Sequence, residues 1–255
     1  MIQGFFQCEP YKVIPYDEPD TGDLVYKVKV SAQPPLWWSA IVGDAIHNLR
    51  SSLDLLVCEL VRAEGKEVKS NTGFPVFKNA TAFTNAFKAG PPGQIKGAPQ
   101  AAVDLIKRAE PYKGGEDAFW RLHQLDIVDK HKLLVPVGMA YASVILDFAR
   151  AFDNFPDLPP ELAIPPEVSM PIGLRPADRQ FPLKDGAPLF RVPADGRTGV
   201  MGPMHQNPKF SFEVAFGEGE VVKGEPLLET LSQLTQFIEG FVQLFPPLFG
   251  QKSTP

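Results

Sequence analysis

The sequence predicts an α+β protein, with a helical bundle packed with an antiparallel sheet and a Pro-rich hairpin insertion. Residues 36–63 form the longest helical pattern in the chain. Apolar and polar residues alternate with the period of a strand in residues 5–31 and again in residues 210–216. Residues 151–208 hold 12 of the 27 prolines, which excludes long helices from that stretch.

We expect a single domain over residues 1–255, because a chain of this length can bury one sizeable core. Its parts follow the chain as a β-hairpin (1–33), a helical part (34–132), strands and Pro-rich loops (133–224), and a C-terminal helix and tail (225–255). Further helices are predicted at residues 81–88, 100–110, 116–132 and 226–245. Further strands are predicted at 133–137 and 141–148, joined at Gly138, with a hairpin over 181–192 that turns at 184–186.

The composition is that of an ordinary globular protein, with 44% hydrophobic and 22% charged residues. The net charge of −5 argues against a general nucleic-acid binder, although a local basic patch stays open. Cys8 and Cys58 show neither metal-ligand spacing nor a disulfide framework, so free thiols in a reducing cytoplasm are expected. Because we find no signal-peptide pattern and no apolar run of about 20 residues, we expect no membrane contact.

A polar stripe follows one face of the central helix, opposite a broad apolar face. Its side chains are mostly short, and lysine is absent between Pro35 and Glu64, whereas solvated helix faces usually carry long charged side chains. We therefore predict that the stripe is partly buried under another element. Beside Gly43, which would allow a close backbone approach, the stripe consists of Asp44, His47, Arg50, Ser51, Asp54 and Cys58.

The predicted helix at residues 116–132 carries a second group of polar side chains, and three of the four histidines lie in these two helices. If the helices pack antiparallel with their polar sides facing, they surround one site. The candidate catalytic cluster, without individual roles assigned to all its members, is His47, Arg50, Asp54, Asp126, Asp129, Lys130 and His131.

Three kinds of chemistry remain open for this cluster. Imidazoles and carboxylates suit zinc, iron or manganese, and the candidate ligands would be His47, Asp54, His123, Asp126 and His131. Without metal, His47 could act as a base while Arg50 binds an anionic substrate, although no Gly-x-Ser-x-Gly nucleophile elbow occurs. Alternatively, Arg50 only bridges Asp126 or Asp129 and fixes which helices pair. The sequence requires no cofactor.

Two segments carry a family resemblance: residues 46–54 read Ile-His-Asn-Leu-Arg-Ser-Ser-Leu-Asp, and residues 125–133 read Leu-Asp-Ile-Val-Asp-Lys-His-Lys-Leu. Together they resemble an uncharacterised family of bacterial proteins, which implies no particular activity. The chain is also faintly similar to HEPN-type helical domains, some of which are ribonucleases marked by an Arg with a His four to six residues later. Here Arg50 has no such His, and Arg121 precedes His123 and His131 at other spacings.

The function expected from the sequence is binding of a small ligand or a partner chain at the polar cluster. One alternative is a hydrolase or nuclease, either metal-dependent or HEPN-like. The other is an interaction module whose polar network is purely structural. The last alternative would gain support if Trp37 and Trp38 were exposed at a subunit contact, and self-association into a homodimer is consistent with the sequence.

Overall fold

A computed structural model describes residues 1–131, 133–144, 180–194, 208–217 and 221–248 and shows an α+β protein. The chain forms two compact units. The first comprises residues 1–35, 136–217 and 224–226, and the second comprises residues 36–135, 218–223 and 227–255. The single domain expected from the sequence stays a prediction. Most of the Pro-rich insertion lies outside the described residues.

The first unit contains the predicted N-terminal hairpin. Strands β1 (Tyr11–Asp17) and β2 (Leu24–Val30) pair antiparallel in an unbroken register from Tyr11 opposite Val30 to Asp17 opposite Leu24. The alternation extrapolated back to residue 5 is wrong, because Ile2–Gln7 form a short helix, α1. In that helix Phe5 and Phe6 both pack near Tyr11, with ring centroids 6.0 and 6.2 Å from its ring, whereas a strand would point these neighbours to opposite faces.

A second antiparallel pair in this unit corrects the prediction that Gly138 separates two strands. Strand β3 runs without interruption through Gly138, from Pro136 to Val144, and pairs with the predicted strand β5 (Pro208–Phe216). Gly138 is needed for packing: a Cβ at this position would overlap the Tyr11 hydroxyl and ring. The predicted strand residues 145–148 lie outside the described residues.

The hairpin predicted for residues 181–192 is also wrong. Strand β4 (Pro188–Val192) pairs antiparallel with β2, which gives the strand order β1-β2-β4. The residues before the turn bond instead to β3, through Gln180 with Ala140 and through the Leu183 amide to the Gly138 carbonyl. Each arm of the turn therefore finds a partner distant in sequence, which a local pattern cannot reveal.

The second unit contains the other predicted helices. In chain order they are α2 (Trp38–Ala63), α3 (Ala80–Ala86), α4 (Gln100–Arg108), α5 (Asp117–His131) and α6 (Leu227–Val242). Gly65, with a φ of +66°, follows the end of α2 as its predicted stop, and Asn79 caps α3 by accepting the Ala82 amide. Of the described helices, none is both long and apolar enough to cross a membrane.

The core of the second unit holds α2 and α5 in place. Helices α2, α5 and α6 contact one another, and the apolar side of α2 is buried through Ile46, Leu53 and Leu60. Aromatic rings join α5 to α6, since Phe119 lies 4.9 Å from Phe241 between ring centroids. Burying each of these side chains contributes about 1.5–3 kcal/mol to the free energy of folding. The polar side of α2 faces away from this apolar contact.

Candidate functional site

Three close contacts, two of them polar, cross from α2 to α5 at successive turns of the helices. As residue numbers rise along α2 they fall along α5, so the two helices run antiparallel, as the facing-stripe arrangement required. The contacts pair Gly43 with Asp129, His47 with Asp126, and Arg50 with His123.

At the middle of this ladder an exposed histidine is held by a buried carboxylate. Asp126 Oδ1 lies 2.9 Å from His47 Nδ1, and the Lys130 Nζ donates to Asp126 Oδ2 at 2.6 Å. The Asp126 side chain is 5% exposed, whereas that of His47 is 55% exposed. Burial by itself would raise the pKa of Asp126, but the hydrogen bonds from Lys130 and His47 outweigh it and hold that pKa below the usual value. Asp126 is thus ionised at neutral pH.

The other ring nitrogen of His47 faces a hydroxyl on its own helix. Ser51 Oγ lies 3.4 Å from His47 Nε2, one helical turn away. Since an ionised Asp126 can only accept, the neutral His47 ring carries its proton on Nδ1 and presents an unprotonated Nε2. Ser51, His47 and Asp126 therefore form a chain of hydroxyl, imidazole and carboxylate in the order used for nucleophile activation.

Arg50 belongs to a separate, buried part of the stripe. Its Nη1 donates to Asp54 Oδ1 at 2.8 Å and its Nη2 donates to the Phe74 carbonyl at 2.8 Å. The same Asp54 oxygen accepts the Phe74 amide at 2.8 Å, and Gly73 has no Cβ that would meet it at 2.6 Å. Arg50 and Asp54 thus clamp the backbone at Phe74, whose ring packs against Phe119.

His123, on α5, is a third partner of Arg50. Arg50 Nε donates over 3.5 Å to His123 Nδ1. Burial, followed by the nearby Arg50 charge, lowers the pKa of His123. His123 is therefore neutral at neutral pH, with Nδ1 as the acceptor and its proton on Nε2.

Asp129 packs where α2 has no side chain. A Cβ on Gly43 would overlap the Asp129 carboxylate, so the group that approaches Gly43 closely is a side chain of α5 and not the backbone that was expected. Burial, followed by the charges of Asp126 and Asp44, raises the pKa of Asp129. Within the described part of the chain Asp129 forms no hydrogen bond that would offset these effects.

Replacing Asp129 with asparagine is expected to stabilise the protein at neutral pH. Because the folded protein holds the Asp129 proton more tightly than the unfolded chain, the stability gained from protonation is fully present below the ordinary aspartate pKa and is lost as the pH rises through the raised pKa. In urea denaturation at pH 7, the Asp129→Asn variant should have a higher free energy of unfolding than the wild type. This difference should shrink as the pH is lowered. The exposed Asp104→Asn is the control, and a less stable Asp129→Asn protein at pH 7 would refute the assignment.

The structure does not bring every candidate together. His131, the last residue of α5, is exposed, and its side chain forms no hydrogen bond or ion pair with the described residues. The candidate metal ligands occupy different parts of the ladder, with Asp54 bound by Arg50 and Asp126 bound by Lys130. Over the ranges that the structure describes, no three His, Cys, Asp or Glu side chains form a group that could hold a metal ion.

Ser51 is the residue that sequence reasoning assigned to the stripe without a role. Its signal was the spacing of four residues from His47, which places the two side chains on adjacent turns. Trp37 is exposed while Trp38 is buried, so the two do not form the exposed pair that would have supported an interaction module. A homodimer stays a prediction.

Comparisons with protein-family models, with curated proteins and with solved structures find no match to this chain. The resemblance to an uncharacterised bacterial family and the faint similarity to HEPN-type domains therefore stay predictions. The function must be inferred from the site geometry alone.

Proposed function

We propose that this protein is a hydrolase of ester substrates, with Ser51 as its nucleophile and His47 as its general base. The observation that carries the proposal is the arrangement of His47, which is half-exposed, bound through Nδ1 to a nearly buried carboxylate, and next to a hydroxyl through Nε2. A general base has to lie within hydrogen-bond reach of the proton that it takes, and His47 Nε2 lies 3.4 Å from Ser51 Oγ.

The roles follow from the hydrogen-bonding capacities. Ser51 Oγ attacks the ester centre, and His47 Nε2 takes the hydroxyl proton as the new bond forms. The same imidazole then gives that proton to the leaving alcohol, and water releases the product from Ser51 by the reverse sequence. Asp126 fixes the Nδ1–H tautomer and stabilises the imidazolium. Lys130 offsets the charge of Asp126 through their 2.6 Å contact.

Arg50 and Asp54 act as positioning residues in this proposal. Their hydrogen bonds are directed to each other, to the Phe74 backbone and to His123, so they hold the segment at Phe74 rather than contact a reacting group. The small-ligand, nuclease and purely structural alternatives lack an observation that accounts for the exposed His47 and its Ser51 partner together.

The test is covalent labelling with a fluorophosphonate. The Ser51 oxygen should displace fluoride from phosphorus, while His47 accepts the serine proton, and mass spectrometry should locate the adduct on Ser51. The matched control is Ser52→Ala, on the same helix, whose hydroxyl donates to the Leu49 carbonyl at 2.7 Å. Labelling should persist in Ser52→Ala and disappear in Ser51→Ala. Absence of any adduct on Ser51 in the folded wild type would overturn the proposal.

A further inference from the structure

A cavity of about 610 Å³ opens in the second unit, beside α5. Its volume lies within the range of about 300–1,000 Å³ that is usual for small-molecule sites. Its lining is polar and aromatic, and it consists of segment 77–79, Lys113 and three residues of α5. The α5 residues are Trp120, His123 and Gln124.

The two lysines of the lining are brought side by side by the backbone. Phe77 and Tyr112 form a parallel bridge, closed by the Phe77 amide donating to the Pro111 carbonyl at 2.9 Å. The next residue on each strand of the bridge is a lysine, Lys78 and Lys113. A parallel bridge keeps successive residues in step, so the two cations flank the same opening.

These cations lack acidic partners. Among the described residues neither Lys78 nor Lys113 forms an ion pair, and the lining contains no Asp or Glu. The lining of the cavity therefore carries two positive charges, although the chain as a whole has a net charge of −5. Two adjacent unpaired cations repel each other, and an anion would relieve that repulsion.

Aromatic side chains accompany the charge. The Lys113 Nζ lies 4.7 Å from the centroid of the Trp120 ring, so the indole holds this ammonium against its face. Phe77 supplies a second ring to the lining. Flat rings of this kind favour a planar aromatic partner, which they contact over a large area.

Neutral donors complete the lining. His123 carries its proton on Nε2, because its Nδ1 is occupied by Arg50, so it offers an N–H without adding charge. Asn79 uses its side-chain oxygen to cap α3, which leaves its amide nitrogen as a donor. A ligand here thus meets hydrogen-bond donors rather than carboxylates, as an anionic group requires.

We infer that this cavity binds a small aromatic anion, which is a planar ring carrying one sulfonate, carboxylate or phosphate-like group. The anionic group contacts Lys78 and Lys113, and the ring packs on Trp120 and Phe77. This inference does not rest on the proposed Ser51 chemistry, because none of the lining residues belongs to the Ser51–His47–Asp126 chain.

Calorimetric titration with three matched probes tests the inference. Naphthalene-1-sulfonate carries both the ring and the charge, naphthalene-1-sulfonamide keeps the ring without the charge, and methanesulfonate keeps the charge without the ring. The first is expected to bind at least about tenfold more tightly than the other two, because a charged group gains the lysine contacts and the ring gains the aromatic ones.

Variants locate the binding. Lys113→Ala and Lys78→Ala are each expected to weaken naphthalene-1-sulfonate binding by about tenfold, and Trp120→Leu by a similar factor. Lys96→Ala removes an exposed lysine that is not part of the cavity and should leave binding unchanged. Equal affinity for the sulfonate and the sulfonamide, or binding unaffected by both lysine variants while they remain folded by circular dichroism, would overturn the inference.

Discussion

Replacing His47 with glutamine is expected to slow fluorophosphonate labelling of Ser51 by about 10² to 10⁴-fold. Glutamine can still hydrogen-bond to Asp126, but it has no basic nitrogen to take the Ser51 proton. Because the His47 side chain is 55% exposed, the same change should alter the free energy of unfolding by less than about 1 kcal/mol. This variant should therefore label much more slowly than the wild type while keeping nearly the same urea denaturation midpoint.

Two comparisons make this result specific. His131→Gln changes an exposed histidine at the end of α5 and should label at the wild-type rate. His47→Ala leaves room for free imidazole, and millimolar imidazole should restore part of the labelling if the missing function is that of a base. Equal labelling rates in His47→Gln and the wild type would show that His47 is not the base.

Replacing Arg50 with alanine is expected to lower the free energy of unfolding by about 3 kcal/mol. The side chain is 11% exposed, and the change would remove the partners of Asp54 and of the buried Phe74 carbonyl. Asp54 is 42% exposed and keeps the Phe74 amide, so water and that amide limit its share of the loss. The loss should come mainly from the carbonyl and from the packing of the guanidinium stem.

Urea denaturation followed by circular dichroism measures this effect. Arg62→Ala is the matched control, because Arg62 also lies on α2 and pairs with Glu59, but both side chains are more than half exposed. A surface pair of this kind contributes at most about 1 kcal/mol. If both variants lose the same stability, Arg50 is not a structural clamp, and a direct role in ligand binding would have to be considered again.

These two predictions divide the polar stripe into two parts with different physical roles. Arg50 has its donors satisfied by fixed, partly buried groups, which is the behaviour of a residue that holds a loop. His47 has one nitrogen held by Asp126 and the other beside Ser51, which is the arrangement that the proposed proton transfer requires. Sequence periodicity placed both residues on one face and could not distinguish these roles, because exposure depends on what covers each turn of the helix.

Local patterns sufficed for helices α2 to α6 and for the first hairpin, but not for α1. The turn signals between Asp17 and Leu24 and the alternation on both sides specify β1 and β2, since a hairpin pairs neighbours in sequence. The prolines before α2 and Gly65 after it predict where this helix begins and ends. The observed start lies two residues after the predicted one. Such features depend on backbone preferences within a few residues, so they can be deduced without the tertiary structure.

The choice of strand partners and the role of Gly138 depend on tertiary packing, so the sequence did not predict them. Gly138 looks like a turn residue in the sequence, yet it lies inside β3. A glycine is needed there because the Tyr11 ring occupies the space that a side chain would fill. Likewise β4 pairs with β2, which lies more than 150 residues earlier, rather than with its own neighbours. Register and partner choice follow from which faces can be buried together, and that is not a property of any one segment.

By itself, the sequence determined the α+β composition, the central helix with its polar stripe, and the polar character of α5. Only the tertiary structure decided that Asp126, and not Asp54 or Asp129, holds His47, and that Ser51 stands at the free nitrogen of that ring. The reason is geometric. The antiparallel packing of α2 on α5 brings His47 next to Asp126, which lies 79 positions later in the chain. A shift of one helix against the other by one turn, about 5.4 Å, would give His47 a different partner.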